Sequence, residues 1–168
     1  RDRNYLNDLS IAENIFVGRL PQNGLLNKID YSRLHKDCSA LLERVGLHHD
    51  PFTRVRELSV AEKQLVEIAK AISRNIRILI MDEPTSALDP LLTGEVLRVI
   101  RSLADEHMTM VIVTHEMPFA RAVSDRVVFL DGGVIVEQGS PEQVFENPQQ
   151  ERTREFLQSY RETSSAQA

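Results

Sequence analysis

The chain has 168 residues and a net charge of -5 at pH 7, with 42% hydrophobic and 27% charged residues. These values are ordinary for one globular domain, and the acidic balance argues against a general nucleic-acid binder, whose footprint is a basic patch. No apolar stretch approaches the roughly 18 residues that span a bilayer, and no secretory leader is expected. Cys38 is the only cysteine, which fits a reducing cytosol, and the adjacent His48 and His49 are predicted to be solvated loop residues.

Residues 1–75 are predicted to be helical, because helix-capping signals recur in this part of the chain. Ser10 and Glu13 form a capping box, in which the Ser hydroxyl accepts an unpaired backbone N–H and the Glu carboxylate reaches back to the cap. Asp30 is the N-cap of a second predicted helix, and Ser59 with Glu62 forms another capping box. The three helices are expected to end near Val17, Val45 and Ser73.

After residue 75, apolar runs with strand character alternate with helical segments. The short apolar run at 78–82 predicts a buried parallel strand, and the right-handed crossover rule places a strand at 109–114 parallel to it. Asp131, Gly132 and Gly133 predict a hairpin turn. Further helices are expected at 91–106, 118–123, 141–145 and 150–160, followed by a disordered tail at 161–168.

Two adjacent carboxylates, Asp82 and Glu83, follow directly from the strand at 78–82. In open α/β sheets, ligands bind just beyond the carboxyl ends of the strands. Neighbouring strand residues point to opposite sides, so one acid is suited to hold Mg²⁺ and the other to polarise an attacking water. The alternative is a strand that simply ends in two solvated acids.

Three further residues stand at positions with more than one interpretation. Ser59 begins a helix whose free N–H groups and dipole attract anions, although the same Ser is also explained as an N-cap. Asp89 precedes Pro90 and is therefore a plausible N-cap of the next helix. His115 ends an apolar strand and is expected at the sheet edge near Glu83, although a lone His in such a place is usually structural or solvated.

Three segments occur in an order that resembles the nucleotide-binding domain of ABC transporters. Residues 58–64 (Leu-Ser-Val-Ala-Glu-Lys-Gln) resemble the family signature, and residues 82–89 (Asp-Glu-Pro-Thr-Ser-Ala-Leu-Asp) resemble Walker B with its D-loop. Residues 111–116 (Val-Ile-Val-Thr-His-Glu) resemble the strand of the switch histidine. The resemblance implies an α/β fold of the P-loop NTPase type, with a helical signature subdomain at 1–75 and a RecA-like α/β part at 76–160.

The resemblance also implies roles for individual residues. Asp82 becomes the partner of Mg²⁺, and Glu83 the general base or water-positioning group for ATP hydrolysis. His115 is implied to donate to the γ-phosphate of ATP and to link it to the catalytic Glu. Asp89 belongs to the D-loop, which crosses the dimer interface beside the site of the other subunit.

In the family, the signature segment contacts the γ-phosphate of ATP held by the opposite subunit, which assigns this role to Ser59, Val60, Ala61 and Glu62. The segment departs from the commonest form, in which glycines stand at positions 60 and 61 and glutamine at position 62. Side chains at 60 and 61 restrict the approach of the backbone to a phosphate, and Glu62 adds a negative charge beside a polyanion. Similar forms occur in sugar-importer ATPases of this family, so the departure indicates a subtype.

No Gly-x-x-x-x-Gly-Lys-Ser/Thr run occurs in the 168 residues, although in the family this P-loop precedes the other segments. Its backbone N–H groups cradle the phosphates, and its Lys and Ser/Thr hold the β- and γ-phosphates and Mg²⁺. The glutamine of the Q-loop is missing too. The sequence is therefore expected to be the C-terminal part of a nucleotide-binding domain, inactive as an ATPase by itself, with one sheet edge and one core face exposed.

The resemblance implies an ATP-hydrolysing importer subunit at the cytoplasmic face of the cell membrane, with ATP and Mg²⁺ as cofactors. Two such domains pair head to tail and drive transmembrane permease subunits. A solute-binding protein takes part indirectly, and nucleic acid is not an expected partner. Residues 9–16 and 58–71 resemble monosaccharide importers. Polar amino acid importers are slightly favoured, and the segments that resemble their ATPases are residues 82–95, 114–120 and 138–157.

Two alternatives stay open. Soluble ABC-type ATPases of DNA repair and chromosome architecture insert long coiled coils before the signature, whereas the stretch before Leu58 is short and lacks sustained heptads. A non-catalytic remnant that survives only as a binding module is the second alternative.

Overall fold

The computed structural model describes residues 6–24 and 28–165, and the chain divides into two compact units. The first unit ends at Val113 and the second begins at Thr114. No helix within the described ranges is both long and apolar enough to cross a membrane.

Four helices form the body of the first unit, and each begins at a capping residue. Both predicted capping boxes are confirmed, at Ser10 with Glu13 and at Ser59 with Glu62, and two aspartates cap the other helices. Satisfying the first backbone N–H groups in this way stabilises a helix end by about 1 kcal/mol. The helices are α1 (Ile11–Ile15), α2 (Tyr31–Arg44), α3 (Val60–Ile72) and α4 (Pro90–Asp105), with a 3₁₀ turn at Val55–Glu57.

Helix α3 is the centre of this unit, because α1, α2 and α4 each pack against it. Fully buried side chains from all four helices include Ile11, Leu34, Val66 and Ile100. Each such burial stabilises the fold by about 1.5–3 kcal/mol. The packing of α3 on α4 crosses the predicted subdomain boundary at residues 75 and 76, which does not coincide with the division at Val113. The subdomain boundary stays a prediction.

A short antiparallel pair interrupts the region predicted to be wholly helical. Strand β1 (Gln22–Asn23) pairs with β2 (Lys28–Ile29), and the Asp30 N–H donates to the Pro21 carbonyl at 2.8 Å. Pro21 and Gly24 disfavour a helix here, so the two short extended segments satisfy their backbone groups by pairing with each other.

Strands β3 (Ile78–Asp82) and β4 (Thr109–Val113) pair in parallel, as predicted from the crossover rule. Strand β3 is buried on one face only, which corrects the prediction of a buried strand. Leu79 and Met81 are each 7% exposed, whereas Ile80 is 71% exposed. The exposed face continues on β4, because Val111 pairs with Ile80 and is 51% exposed. An exposed apolar sheet face was expected and is present.

The second unit contains α5 (Met117–Val123), the antiparallel strands β5 (Val127–Asp131) and β6 (Val134–Gly139), α6 (Pro141–Phe145) and α7 (Glu151–Ser165). The predicted hairpin turn is confirmed, with Gly132 and Gly133 at φ values of 58° and 82°. Helix α7 packs on the hairpin through Phe129 and Phe156, whose ring centres are 4.9 Å apart.

Helix α7 continues beyond Tyr160 to Ser165, so the predicted helix end is wrong and residues 161–165 of the expected tail are helical. The sequence after Tyr160 contains no Gly or Pro to end the helix, and the Gln158 amide donates to the Glu162 carboxylate at 2.9 Å across one turn. Residues 166–168 of the expected tail lie outside the described residues.

Candidate functional site

The signature segment lies at the N-terminus of α3, and its capping box fixes the local geometry. Ser59 is extended (φ -63°, ψ 169°), its Oγ accepts from the Glu62 N–H at 3.3 Å, and its own N–H donates to Glu62 Oε2 at 2.7 Å. No acceptor within the described ranges takes the Val60 N–H. A backbone donor at the positive end of a 13-residue helix is therefore available to an anion.

The two side chains that replace the expected glycines take different environments. Val60 is 40% exposed, so its side chain stands at the open helix end. Ala61 is completely buried and belongs to the core. The side chain that restricts the approach of the backbone to a phosphate is therefore that of Val60, and not the methyl group of Ala61.

Glu62 contacts a residue that sequence reasoning missed. His49 Nε2 lies 2.7 Å from Glu62 Oε1, so His49 is not the solvated loop residue that was predicted, whereas His48 is exposed. Partial burial acts to raise the pKa of Glu62, but hydrogen bonds from His49 and Ser59 outweigh it and hold that pKa below its usual value. His49 and Glu62 are 13 positions apart in the sequence, so no local pattern signals the pair.

Asp82 and Glu83 lie at the carboxyl end of β3, beside the end of β4. Asp82 is exposed and pairs in register with Val113, and the Glu83 N–H donates to the Val113 carbonyl at 2.9 Å. Glu83 has a φ of 47°, in the left-handed region that non-glycine residues rarely adopt. Such a conformation costs about 1–2 kcal/mol, and strained residues of this kind cluster at functional sites. The sequence does not signal this strain.

The turn after Glu83 is held by its own backbone and by burial. The Ser86 N–H donates to the Glu83 carbonyl at 3.2 Å, and the Leu88 N–H donates to the Thr85 carbonyl at 3.0 Å. Thr85 is 3% exposed, and its hydroxyl has no hydrogen-bond partner in the described part of the chain. These contacts lead the chain from Glu83 to the start of α4.

Asp89 is the N-cap of α4, since its Oδ1 accepts from the Leu92 N–H at 3.0 Å. The capping interpretation is therefore confirmed, and the implied role in a dimer interface stays a prediction. Asp89 is exposed, so capping leaves its carboxylate accessible to solvent.

His115 belongs to the second unit, two residues beyond the end of β4. Its side chain is 60% exposed, and its Nε2 lies 3.8 Å from Glu116 Oε1. The Thr114 hydroxyl accepts from the Glu116 N–H at 3.0 Å and shapes the turn into α5. The predicted link between His115 and Glu83 stays a prediction.

These residues fit part of a site for ATP and Mg²⁺. Magnesium is usually held by one or two carboxylates together with water and substrate phosphates, a role that suits exposed Asp82. Within residues 6–24 and 28–165, no three His, Cys, Asp or Glu side chains group into a self-sufficient metal site. The 168 residues contain no P-loop, so they offer a magnesium carboxylate and a helix end without the phosphate cradle.

Comparison with known proteins agrees with this arrangement. The profile of the ABC transporter family matches residues 1–86, which are just over half of the chain. The arginine transport ATP-binding protein ArgV of Corynebacterium glutamicum is 54% identical over 76% of this chain and 50% of its own length. The L-cystine import ATP-binding protein TcyC of Bacillus subtilis is 47% identical over 86% of this chain and 57% of its own length. The chain thus spans about half the length of these relatives.

Solved structures agree on the fold. CbiO1 of Clostridium perfringens, part of an ABC transporter complex, is 27% identical with a TM-score of 0.69, over 86% of this chain and 56% of that one. MJ1267, an ATP-binding cassette of an ABC transporter solved in its ADP conformation, is 22% identical with a TM-score of 0.69, over 89% of this chain and 63% of that one. The predicted signature segment lies at a capped helix end, and the predicted Walker B segment lies at the end of a parallel strand. The chain belongs to the ABC transporter family.

Proposed function

We propose that this chain is part of the ATP-binding and ATP-hydrolysing subunit of an ABC importer. The observation that carries the proposal is the strand end at Asp82 and Glu83. An exposed carboxylate suited to Mg²⁺ stands there next to a second carboxylate in a strained turn. In this proposal Asp82 holds Mg²⁺, Glu83 orients the attacking water, and His115 contacts the γ-phosphate.

The head-to-tail pairing of two ATPase domains completes the proposed site. In the proposed interface, the segment of Ser59, Val60, Ala61 and Glu62 lies beside the γ-phosphate of an ATP held by the second domain. Ser59 and Val60 are its exposed residues and Ala61 is buried beneath them, and Asp89 lies at the same interface. The Val60 N–H, for which no acceptor lies within residues 6–24 and 28–165, and the exposed Ser59 support this assignment. The further partners are transmembrane permease subunits and, indirectly, a solute-binding protein, at the cytoplasmic face of the membrane.

A polar amino acid is the proposed cargo. The relatives ArgV and TcyC are named for arginine and L-cystine transport, and they share 54% and 47% of their aligned residues with this chain. This favours the amino acid branch over the sugar branch, which the signature segment resembles.

Hydrolysis tests the proposed roles. The chain alone is expected to show negligible ATPase activity, because it lacks a P-loop, and activity is expected when a segment carrying Gly-x-x-x-x-Gly-Lys-Ser/Thr is supplied separately. Glu83→Gln should then abolish hydrolysis while ATP binding persists. Turnover by the isolated chain clearly above that of its Glu83→Gln variant would contradict the proposal.

The second candidate is a non-catalytic binding module, which the exposed Val60 and the charged Glu62 in the signature segment favour. Its distinguishing result is the failure of the supplied segment to restore any ATP binding.

A further inference from the structure

The contact between His49 and Glu62 occupies the one acidic side chain of the signature segment. Glu62 Oε2 accepts from the Ser59 N–H at 2.7 Å, and Oε1 lies 2.7 Å from His49 Nε2. Both carboxylate oxygens therefore have a donor from the same chain. The pair is partly shielded from solvent, with side-chain exposures of 34% for His49 and 30% for Glu62.

His49 is held in place by the loop that carries it. The carbonyls of Pro51 and Thr53 accept from the first N–H groups of α1, at 2.9 Å each. Asp50 Oδ1 accepts from the Phe52 N–H at 2.7 Å and so closes a tight turn. This anchoring gives the imidazole a defined position against the N-terminus of α3.

Of the charged residues near His49, Glu62 is its hydrogen-bond partner. Asp50, the neighbour in sequence, directs Oδ2 towards His35 Nε2 at 3.9 Å. His48 is exposed, and Lys63, next to Glu62, is partly buried. Among the described residues, the short contact at 2.7 Å is therefore between His49 and Glu62.

A carboxylate in the first turn of a helix stabilises the helix but competes with any other anion at the same end. Glu62 stands at a position where the commonest family signature has an uncharged Gln, so the competition is specific to this form. A hydrogen-bond donor that fixes the carboxylate keeps Glu62 in the capping box. The helix end, including the Val60 N–H, is then left to the incoming phosphate.

We propose that His49 is a positioning residue for the signature segment, whose Nε2–H holds Glu62 in the capping box and so keeps the N-terminus of α3 open to a phosphate. This inference rests on the proposed function of the segment. His49 itself does not touch the phosphate.

The experiment titrates the full chain with inorganic phosphate and follows the backbone amide signals of Ser59, Val60 and Ala61 by NMR. His49→Gln places an amide N–H₂ where Nε2 stands, whereas the shorter His49→Asn does not reach Glu62. His49→Asn should weaken phosphate binding about two- to fivefold, the range that helix-terminus charges produce, and His49→Gln should retain it. In a Glu62→Gln background, His49→Asn should have no effect.

Glu13→Gln is the matched control, because Glu13 occupies the equivalent position of the other capping box, at the start of α1. It should leave the response of the Ser59 segment unchanged. A Glu13→Gln effect as large as that of His49→Asn would overturn the proposal, since a general loss of stability would explain both.

The remaining outcomes separate this inference from the proposed function. Equal phosphate binding by the parent chain and His49→Asn would overturn the positioning role alone, and so would a loss in His49→Gln as large as in His49→Asn. No response to phosphate in the parent chain or in Glu62→Gln would overturn the anion-binding role of the segment, and the inference with it.

Discussion

Glu83 combines a proposed catalytic role with an unfavourable backbone conformation. Its φ of 47° places it among three non-glycine residues with positive φ in the described ranges, the others being Asn75 and His107. Asn75 and His107 follow the ends of α3 and α4, where a left-handed residue commonly closes a helix. Glu83 instead leaves a strand, so its conformation is set by the turn that leads to α4.

Glycine substitution measures this strain. Glu83→Gly should raise the free energy of unfolding by about 1 kcal/mol relative to Glu83→Ala, because glycine adopts positive φ without steric cost. Urea unfolding monitored by circular dichroism gives the comparison. His107→Gly against His107→Ala is the matched control at a helix end and should show a similar difference. A Glu83→Gly variant less stable than Glu83→Ala would contradict strain at this position.

The Glu62 carboxylate should make stability depend on pH. Its pKa in the folded chain lies below the ordinary value of 4.5, so its contribution is present above that value and is lost as the pH falls through the folded pKa. Relative to Glu62→Gln, the parent chain should be more stable by less than about 1 kcal/mol at pH 7, with the difference shrinking as the pH falls below 4.5. Urea unfolding at pH 7 and at a series of acidic pH values tests this, and a difference that grows on acidification would refute it.

At the scale of elements, the two faces of β3 have opposite surroundings. Leu79 is 7% exposed, whereas Ile80, its neighbour, is 71% exposed on an apolar face that continues on β4. The predicted strand pairing was correct because the crossover rule depends only on chain direction. The exposure of one face could not be read from the apolar run, because burial depends on what packs against each side.

Adjacent substitutions in β3 should therefore differ in their effects. Leu79→Ala should destabilise the chain by about 2–5 kcal/mol, because it opens a cavity in a packed core. Ile80→Thr should change the free energy of unfolding by less than about 0.5 kcal/mol and should reduce the fluorescence of a bound hydrophobic dye. Urea unfolding and dye titration measure the two effects. Equal destabilisation by both variants would contradict the assignment of the two faces.

Local signals account for most of the correctly predicted elements. The capping boxes at Ser10 and Ser59 act over three residues, so their sequence pattern is sufficient to place the starts of α1 and α3. The contact of His49 with Glu62 depends on segments brought together by the fold, whereas the pairing of β1 with β2 and the strain at Glu83 depend on the conformation of their turns. None of these follows from propensity or periodicity.

At the scale of the whole molecule, the chain belongs to the ABC transporter family and spans about half the length of its relatives ArgV and TcyC. It carries the proposed magnesium, water-positioning and trans-phosphate residues without a P-loop in its 168 residues. Proposed roles for Ser59 and Asp82 thus belong to a site that needs a phosphate cradle from elsewhere. Binding of ATP is therefore the property on which these proposed roles depend most.

The most direct test is equilibrium binding of ATP with Mg²⁺ by this chain, measured with and without a separately supplied P-loop segment. We expect weak or undetectable binding by the chain alone and clear binding with the segment, which Asp82→Asn should weaken through loss of the magnesium carboxylate. Failure to bind in either condition, or tight binding by the chain alone, would contradict the proposal that these residues form the catalytic part of an ATP site.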